Sequence, residues 1–148
     1  MITGFDHVAF PVSVAERTLR FYRELGFGIW GEAEWRAGTQ RYFSIVFGDN
    51  KINIHPEEMV ARRNLPGTLR APAAEPGCAD LCFVWAGGIA NLIAHLARCA
   101  VPVVAGPVRR MGGRGAGTTP GISIYIRDPD DNLLEFISYD AGDLHAVS

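Results

Sequence analysis

One pattern of elements is written twice along this chain, and that duplication narrows its possible folds more than any other feature. The first copy opens on the alternating run 5–11, which reads as a strand with successive side chains on opposite faces. A helix is predicted next, because Ser13-Val14-Ala15-Glu16 has the spacing of a capping box. Thr18, Phe21, Tyr22 and Leu25 give that helix a single core-facing stripe, and Gly26 is placed to end it. Strand-like runs follow at 28–35, 41–47 and 51–55, with Gly48-Asp49-Asn50 turning between the last two. The second copy keeps the order: strand 79–85, helix 87–100, then strands 101–104, 122–127 and 133–138. Its helix carries Ile89, Leu92, Ile93, Leu96 and Ala100 on one face, and Asp128-Pro129-Asp130-Asp131-Asn132 reads as a tight turn before the last strand.

The sequence therefore predicts an α+β fold of two tandem βαβββ modules within one domain, 1–148. Module one covers about 3–56 and module two about 78–140. A connecting arm rich in Pro, Ala and charge covers about 57–77, and a polar tail covers 141–148. Overlaying the copies sets Asp80 on His7, and Glu135 on Asn53 if the turn residues Asn50 and Asn132 are matched. The second pair lies further apart in the chain than the first, and the extra length is assigned to a Gly/Arg loop over 108–121. His7 and Glu135 each stand within an apolar, alternating run. A buried imidazole and a buried carboxylate need partners, and a shared divalent metal is one way to satisfy both.

Composition excludes several function classes. A 148-residue chain that is 48% hydrophobic with net charge −2 carries no electrostatic footprint for nucleic acid. No apolar stretch approaches the roughly 20 residues of a bilayer span, and the N-terminus lacks the regions of a signal peptide. The expected location is cytoplasmic. Cys78, Cys82 and Cys99 show no CxxC spacing, which argues against a disulfide framework or a thiolate zinc site. None stands out as a nucleophile.

Three segments carry a specific resemblance: the opening FDHVAF, the helix ending FYRELGF, and the closing SIYIRDPDDNLLEF. Together they resemble the vicinal oxygen chelate superfamily, the glyoxalase / bleomycin-resistance / extradiol-dioxygenase group, and KINIHP with PGCADLCF is most similar to a small glyoxalase-domain branch. The resemblance covers roughly 3–139. It implies a cupped, mixed, mostly antiparallel sheet around a metal site, often in a homodimer, with ligands from the first and last strands of each module. Carried over by position, the metal ligands are His7, Glu135, Asp80 and Asn53. Asp80 and Asn53 depart from the family's usual residues and harden the set toward oxygen, so the expected cofactor is a divalent ion, Mn, Ni, Fe, Zn or Mg. His55 is a rival ligand: it shares the face of Asn53, and His7, His55 and Glu135 would make a two-His, one-carboxylate triad.

A metal with open positions would bind adjacent oxygens of a small substrate and stabilise an enolate or alkoxide. The expected activity is that of a metal-dependent lyase or isomerase, with Glu135, His55 and Tyr125 as catalytic candidates. Phe43 and Trp35 are candidate substrate-cup walls, and Arg110 and Arg114 could grip an anionic substrate from a closing loop. Alternatives stay open: an extradiol-type dioxygenase using His7, His55 and Glu135, thiol transfer to fosfomycin, or a metal-free ligand- or drug-binding protein. His95 and His145 are read as solvent-facing residues without a role.

Overall fold

The first helix begins where the sequence places it but is capped differently. α1 spans Ala15–Glu24 with Val14, not Ser13, in the N-cap position, and Ser13 Oγ accepts a hydrogen bond from Arg17 at 3.0 Å. The Ala15 N–H, orphaned at the helix start, donates to Glu57 Oε2 at 3.0 Å, a residue from the arm. A carboxylate there also suits the positive end of the helix dipole. The long helices of both copies end in the same motif. In the first, Gly26, at φ +94°, donates to the Arg23 carbonyl, and Phe27 donates to Tyr22, both at 3.0 Å. In the second, Ala100 takes the left-handed position (φ 54°), donating to Ala97 at 3.1 Å while Val101 donates to Leu96 at 2.9 Å.

The structure is a computed structural model describing residues 1–62 and 64–146, so the last two residues of the expected tail lie outside the described residues. The chain divides into two units, Met1–Ala79 and Asp80–Ser148. Unit one holds β1 (His7–Pro11), α1, β2 (Gly28–Trp30), α2 (Glu32–Arg36), β3 (Phe43–Phe47), β4 (Asn50–His55) and α3 (Glu57–Ala61). Its four-stranded sheet runs β1-β4-β3-β2, with β1 and β4 parallel and the other pairs antiparallel. Unit two holds β5 (Asp80–Val84), α4 (Ile89–Arg98), β6 (Ala105–Gly112), β7 (Thr119–Arg127), β8 (Leu133–Ser138) and α5 (Ala141–Ala146). Its sheet repeats the plan as β5-β8-β7-β6, with β5 and β8 parallel. Among the described residues no helix is long and apolar enough to cross a membrane.

In unit one the core includes Phe10, Leu19, Tyr22, Ile45, Ile52 and Ile54, all 2% exposed or less. Edge-to-face contacts Tyr22–Phe27 at 5.3 Å and Phe27–Phe47 at 5.8 Å tie the end of α1 to β3. In unit two, Ile89, Leu92 and Leu96 of α4 are buried, as are Ile122, Ile124 and Ile126 of β7. Ile93, read as part of that stripe, is exposed. The tail forms a helix that closes unit two. Its Asp143 accepts the Ile89 N–H at 3.0 Å and the Ser138 hydroxyl at 2.7 Å, capping α4 from its far side in sequence.

Three sequence-predicted elements are corrected. The strand expected over 28–35 stops at Trp30, and Gly31 at φ +77° turns the chain into α2. The strand expected at 101–104 does not form. The strand of that place is β6, which starts at Ala105 and runs into the segment read as a loop over 108–121, and six of its residues pair with β7. Glycine there serves close approach rather than flexibility: a Cβ on Gly106 would lie 2.4 Å from the Ser123 carbonyl, and one on Gly112 would meet the Tyr139 hydroxyl.

Candidate functional site

Strand register sorts the side chains of each unit into two faces. In unit one, Asn53 lies beside Ala9 on β1 and Ser44 on β3, and His7 and His55 fall two residues from those positions on the same face. In unit two, Glu135 lies beside Cys82 on β5 and Tyr125 on β7, with Asp80, Ser123 and Arg110 on that face. Asn53 and Glu135 thus occupy the same station in the two sheets, and so do His7 and Asp80, two residues up the parallel partner strand.

His7 is exposed rather than buried, its side chain 43% accessible, so it does not need a metal to offset burial. Its Nδ1 bonds the Asp6 carboxylate. In the neutral tautomer that suits this contact the proton is on Nδ1 and the lone pair on Nε2, the arrangement a ligating histidine uses. His55 is set the other way. Arg70, which can only donate, bonds its Nδ1 at 3.2 Å, so the proton of the neutral ring sits on Nε2. Burial, and then Arg70, lowers the His55 pKa and keeps the ring neutral. His55 therefore presents a donor, not a lone pair. Asn53 is buried, and its Oδ1 accepts the Ser44 hydroxyl at 2.8 Å.

Unit two gathers the charged side chains. Ser123 donates to one oxygen of Glu135. Arg110 Nε donates to the Tyr125 hydroxyl at 3.0 Å, and Arg110 Nη1 to the Arg109 carbonyl at 3.1 Å, which orients the guanidinium along the sheet. The Tyr125 pKa is raised, chiefly by burial with help from the Glu135 charge and against the opposing Arg110, so the phenol keeps its proton. Cys82, although exposed, has its thiol pushed up to about 12 by the apolar surroundings and by Glu135 and Asp80. It is not a thiolate nucleophile or ligand at neutral pH.

The remaining predicted residues separate by position. Phe43 is fully buried, on the sheet face opposite Asn53, and packs on Trp35 with ring centroids 5.1 Å apart. It is a core residue, which corrects its reading as a cup wall. Trp35 stands on α2, half-buried. Arg114 lies in a short turn, Arg114–Gly117, with its guanidinium 4.1 Å from the Tyr139 ring centroid. His95 is half-buried with its ring 5.4 Å from Trp85, which corrects its reading as solvent-facing. Asp128 accepts from the Asp130 and Asn132 backbones at 2.9 and 3.0 Å and closes the tight turn before β8.

Sequence reasoning passes over Asp6, Ser44, Arg70, Ser123 and Cys82 as members of the site. Period two alone puts Ser123 on the face of Tyr125, and Cys82 on that of Asp80. Nothing in the arm's composition signals that Arg70 returns to β4.

For a divalent ion, His7 Nε2 and the Glu135 oxygen not bonded to Ser123 have suitable donor chemistry, each within its own unit, and so does the exposed Asp80 carboxylate. Asn53 offers an amide oxygen already bonded, and His55 an N–H. Within either unit, among the described residues, no group of three His, Cys, Asp or Glu side chains gathers to hold an ion.

Comparison with known proteins agrees with this architecture. A virulence protein of Salmonella typhimurium is 36% identical over 140 residues, covering 94% of this chain and 86% of that one. Its crystal structure superposes with a TM-score of 0.77 at 35% identity, over 95% of this chain and 99% of that chain. A glyoxalase domain-containing protein of Mycosarcoma maydis is 34% identical over 138 residues, 93% of this chain and 69% of that one. A lactoylglutathione lyase from Agrobacterium tumefaciens, 18% identical, shares the fold with a TM-score of 0.65, over 97% of this chain and 96% of that chain. The family model of the Glyoxalase/Bleomycin resistance protein/Dioxygenase superfamily matches residues 4–136, and the chain belongs to that superfamily.

Proposed function

We propose that this chain is a metal-dependent enzyme of glyoxalase/dioxygenase type, a lyase or isomerase acting on a small substrate with adjacent oxygens. The observation that carries the reading is the polar face of unit two, where Glu135 stands mid-strand beside Ser123, Tyr125 and Cys82 and Arg110 is tied to Tyr125. A half-buried carboxylate in the middle of a strand, between the buried Leu134 and Phe136, is costly to keep unless its charge is used. His7 in unit one, and Glu135 and Asp80 in unit two, carry donor atoms that suit a divalent ion, and such an ion would supply Lewis-acid stabilisation of negative charge on a substrate oxygen.

The chain's own groups then have distinct roles. Tyr125, protonated at neutral pH, donates to an oxygen that is gaining charge. Arg110 holds that phenol in place and brings positive charge to an anionic substrate. Glu135 would hold the ion through the oxygen that Ser123 leaves free, while the Ser123 hydroxyl fixes its carboxylate. Cys82 stays a neutral neighbour. His55 is left out of the ligand set because its Nε2 carries a proton, and this weighs against the His7, His55, Glu135 triad of an extradiol-type enzyme.

A metal-free ligand-binding protein is the second reading. It is favoured by one feature: a neutral amide bonded to Ser44 stands at the unit-one position matching Glu135. A panel of hemithioacetals, catechols and epoxides, assayed on the full chain with and without Mn²⁺, Ni²⁺, Fe²⁺ and Zn²⁺, separates the two. Metal-dependent turnover that is lost in Glu135→Gln supports the enzyme. Tight substrate binding without turnover, indifferent to metal, overturns it.

A further inference from the structure

Unit one contains a pocket of about 250 Å³ bounded by α2, the α2–β3 loop and α3. Trp35 enters it from the sheet face opposite that of Asn53 and His55, since it packs on Phe43. The pocket is therefore separate from the polar face described above. Met59 adds a polarizable apolar wall, and Gln40, whose Nε2 donates to the Tyr42 carbonyl, fixes the loop.

Arg23 and Arg36 are committed to carboxylates, Glu32 holding both and Glu16 a second bond to Arg36. Arg41 and Arg62, which line the pocket, make no such ion pair among the described residues. One carboxylate, Glu58, lines the pocket with them. Two guanidinium forks against one acid leave a net positive rim around an aromatic wall.

We propose that this pocket binds a small organic carboxylate with an aromatic or branched aliphatic body. A guanidinium matches a carboxylate with two parallel hydrogen bonds, and Trp35 and Met59 take the apolar part. The volume falls just under the roughly 300–1,000 Å³ of common ligand sites, which selects a one-ring molecule over a nucleotide. The pocket is independent of the chemistry proposed for the polar face of unit two.

NMR titration of the ¹⁵N-labelled full chain with benzoate tests it, with benzyl alcohol and inorganic phosphate as partial probes. The Trp35 indole signal is assigned by its disappearance in Trp35→Phe. Benzoate is expected to shift it saturably, with either partial probe at least about tenfold weaker, because each satisfies only one half of the pocket. The double variant Arg41→Gln, Arg62→Gln should retain a dispersed amide spectrum and bind benzoate at least about tenfold more weakly. Absence of a saturable shift, equal affinity in the double variant, or tighter binding of phosphate or benzyl alcohol would overturn the proposal.

Discussion

Asn53 and Glu135 hold the same station in two sheets of the same strand order, and their surroundings have diverged. Asn53 is sealed, 9% exposed, with its oxygen bonded to Ser44 at 2.8 Å. Glu135 keeps one oxygen outside its bond to Ser123, beside a protonated Tyr125 and an oriented Arg110. A duplicated fold provides each position twice, and the chain keeps the charged chemistry at one copy while closing the other with a neutral pair. The same contrast separates its two histidines of interest. A carboxylate orients His7 for lone-pair donation, and a guanidinium orients His55 against it.

Substitutions in the sealed unit should act on stability, and there the changes are greatest. Phe43→Ala should cost about 3–5 kcal/mol, read by denaturant unfolding, because a fully buried ring is removed from close packing. A variant that instead folds with unchanged stability and altered ligand binding would return Phe43 to the role of a wall. Ser44→Ala should cost about 1–3 kcal/mol by stranding the buried Asn53 oxygen, with divalent-ion affinity unaffected. In unit two, away from Glu135, Asp143→Ala should cost about 1–2 kcal/mol of unfolding free energy through loss of the α4 cap, without a change in chemistry.

Two smaller effects sharpen the electrostatic side. His55 has a lowered pKa in the folded chain, so the unfolded chain binds the extra proton first as pH falls. The stability it contributes is present above about pH 6.5, its unperturbed value, and is lost as pH falls through the folded value. His55→Gln should flatten that part of the stability–pH curve, and an unchanged curve would rule the linkage out. Cys82 reports on Glu135 without any metal. Glu135→Gln removes a negative charge that helps hold the thiol at about 12, so iodoacetamide labelling of Cys82 at pH 9 should speed up, while Asn53→Leu should leave the rate alone.

Much of the fold is legible in the sequence because period-two and period-3.6 patterns report burial directly. β8 and both main helices lie within the predicted runs, and the expected superposition of Asp80 on His7 and Glu135 on Asn53 matches the strand register. The C-terminal part of β6 is hidden because the Gly- and Arg-rich run from 108 onward reads locally as loop, whereas the glycine there has a tertiary reason: Gly112 sits where neighbouring side chains leave no room for a Cβ. The α1 cap escapes a local reading because the Ala15 N–H is taken by Glu57, 42 residues along the chain, a contact without a sequence signature. At the site, residue types on the strands are readable, but ring orientation is not. It depends on Asp6 for one histidine and on Arg70, far along the chain, for the other.

The proposed divalent-ion chemistry belongs to the Glu135 position and not to its unit-one counterpart. Calorimetric titration of Mn²⁺ and Ni²⁺ into the full chain, beside Glu135→Gln and Asn53→Leu, probes that asymmetry most directly. Glu135→Gln is expected to lose more affinity than the roughly 10–100-fold that an outer partner is worth, and Asn53→Leu to stay within about twofold of the parent. Equal losses in the two variants, or no loss in Glu135→Gln, would contradict it.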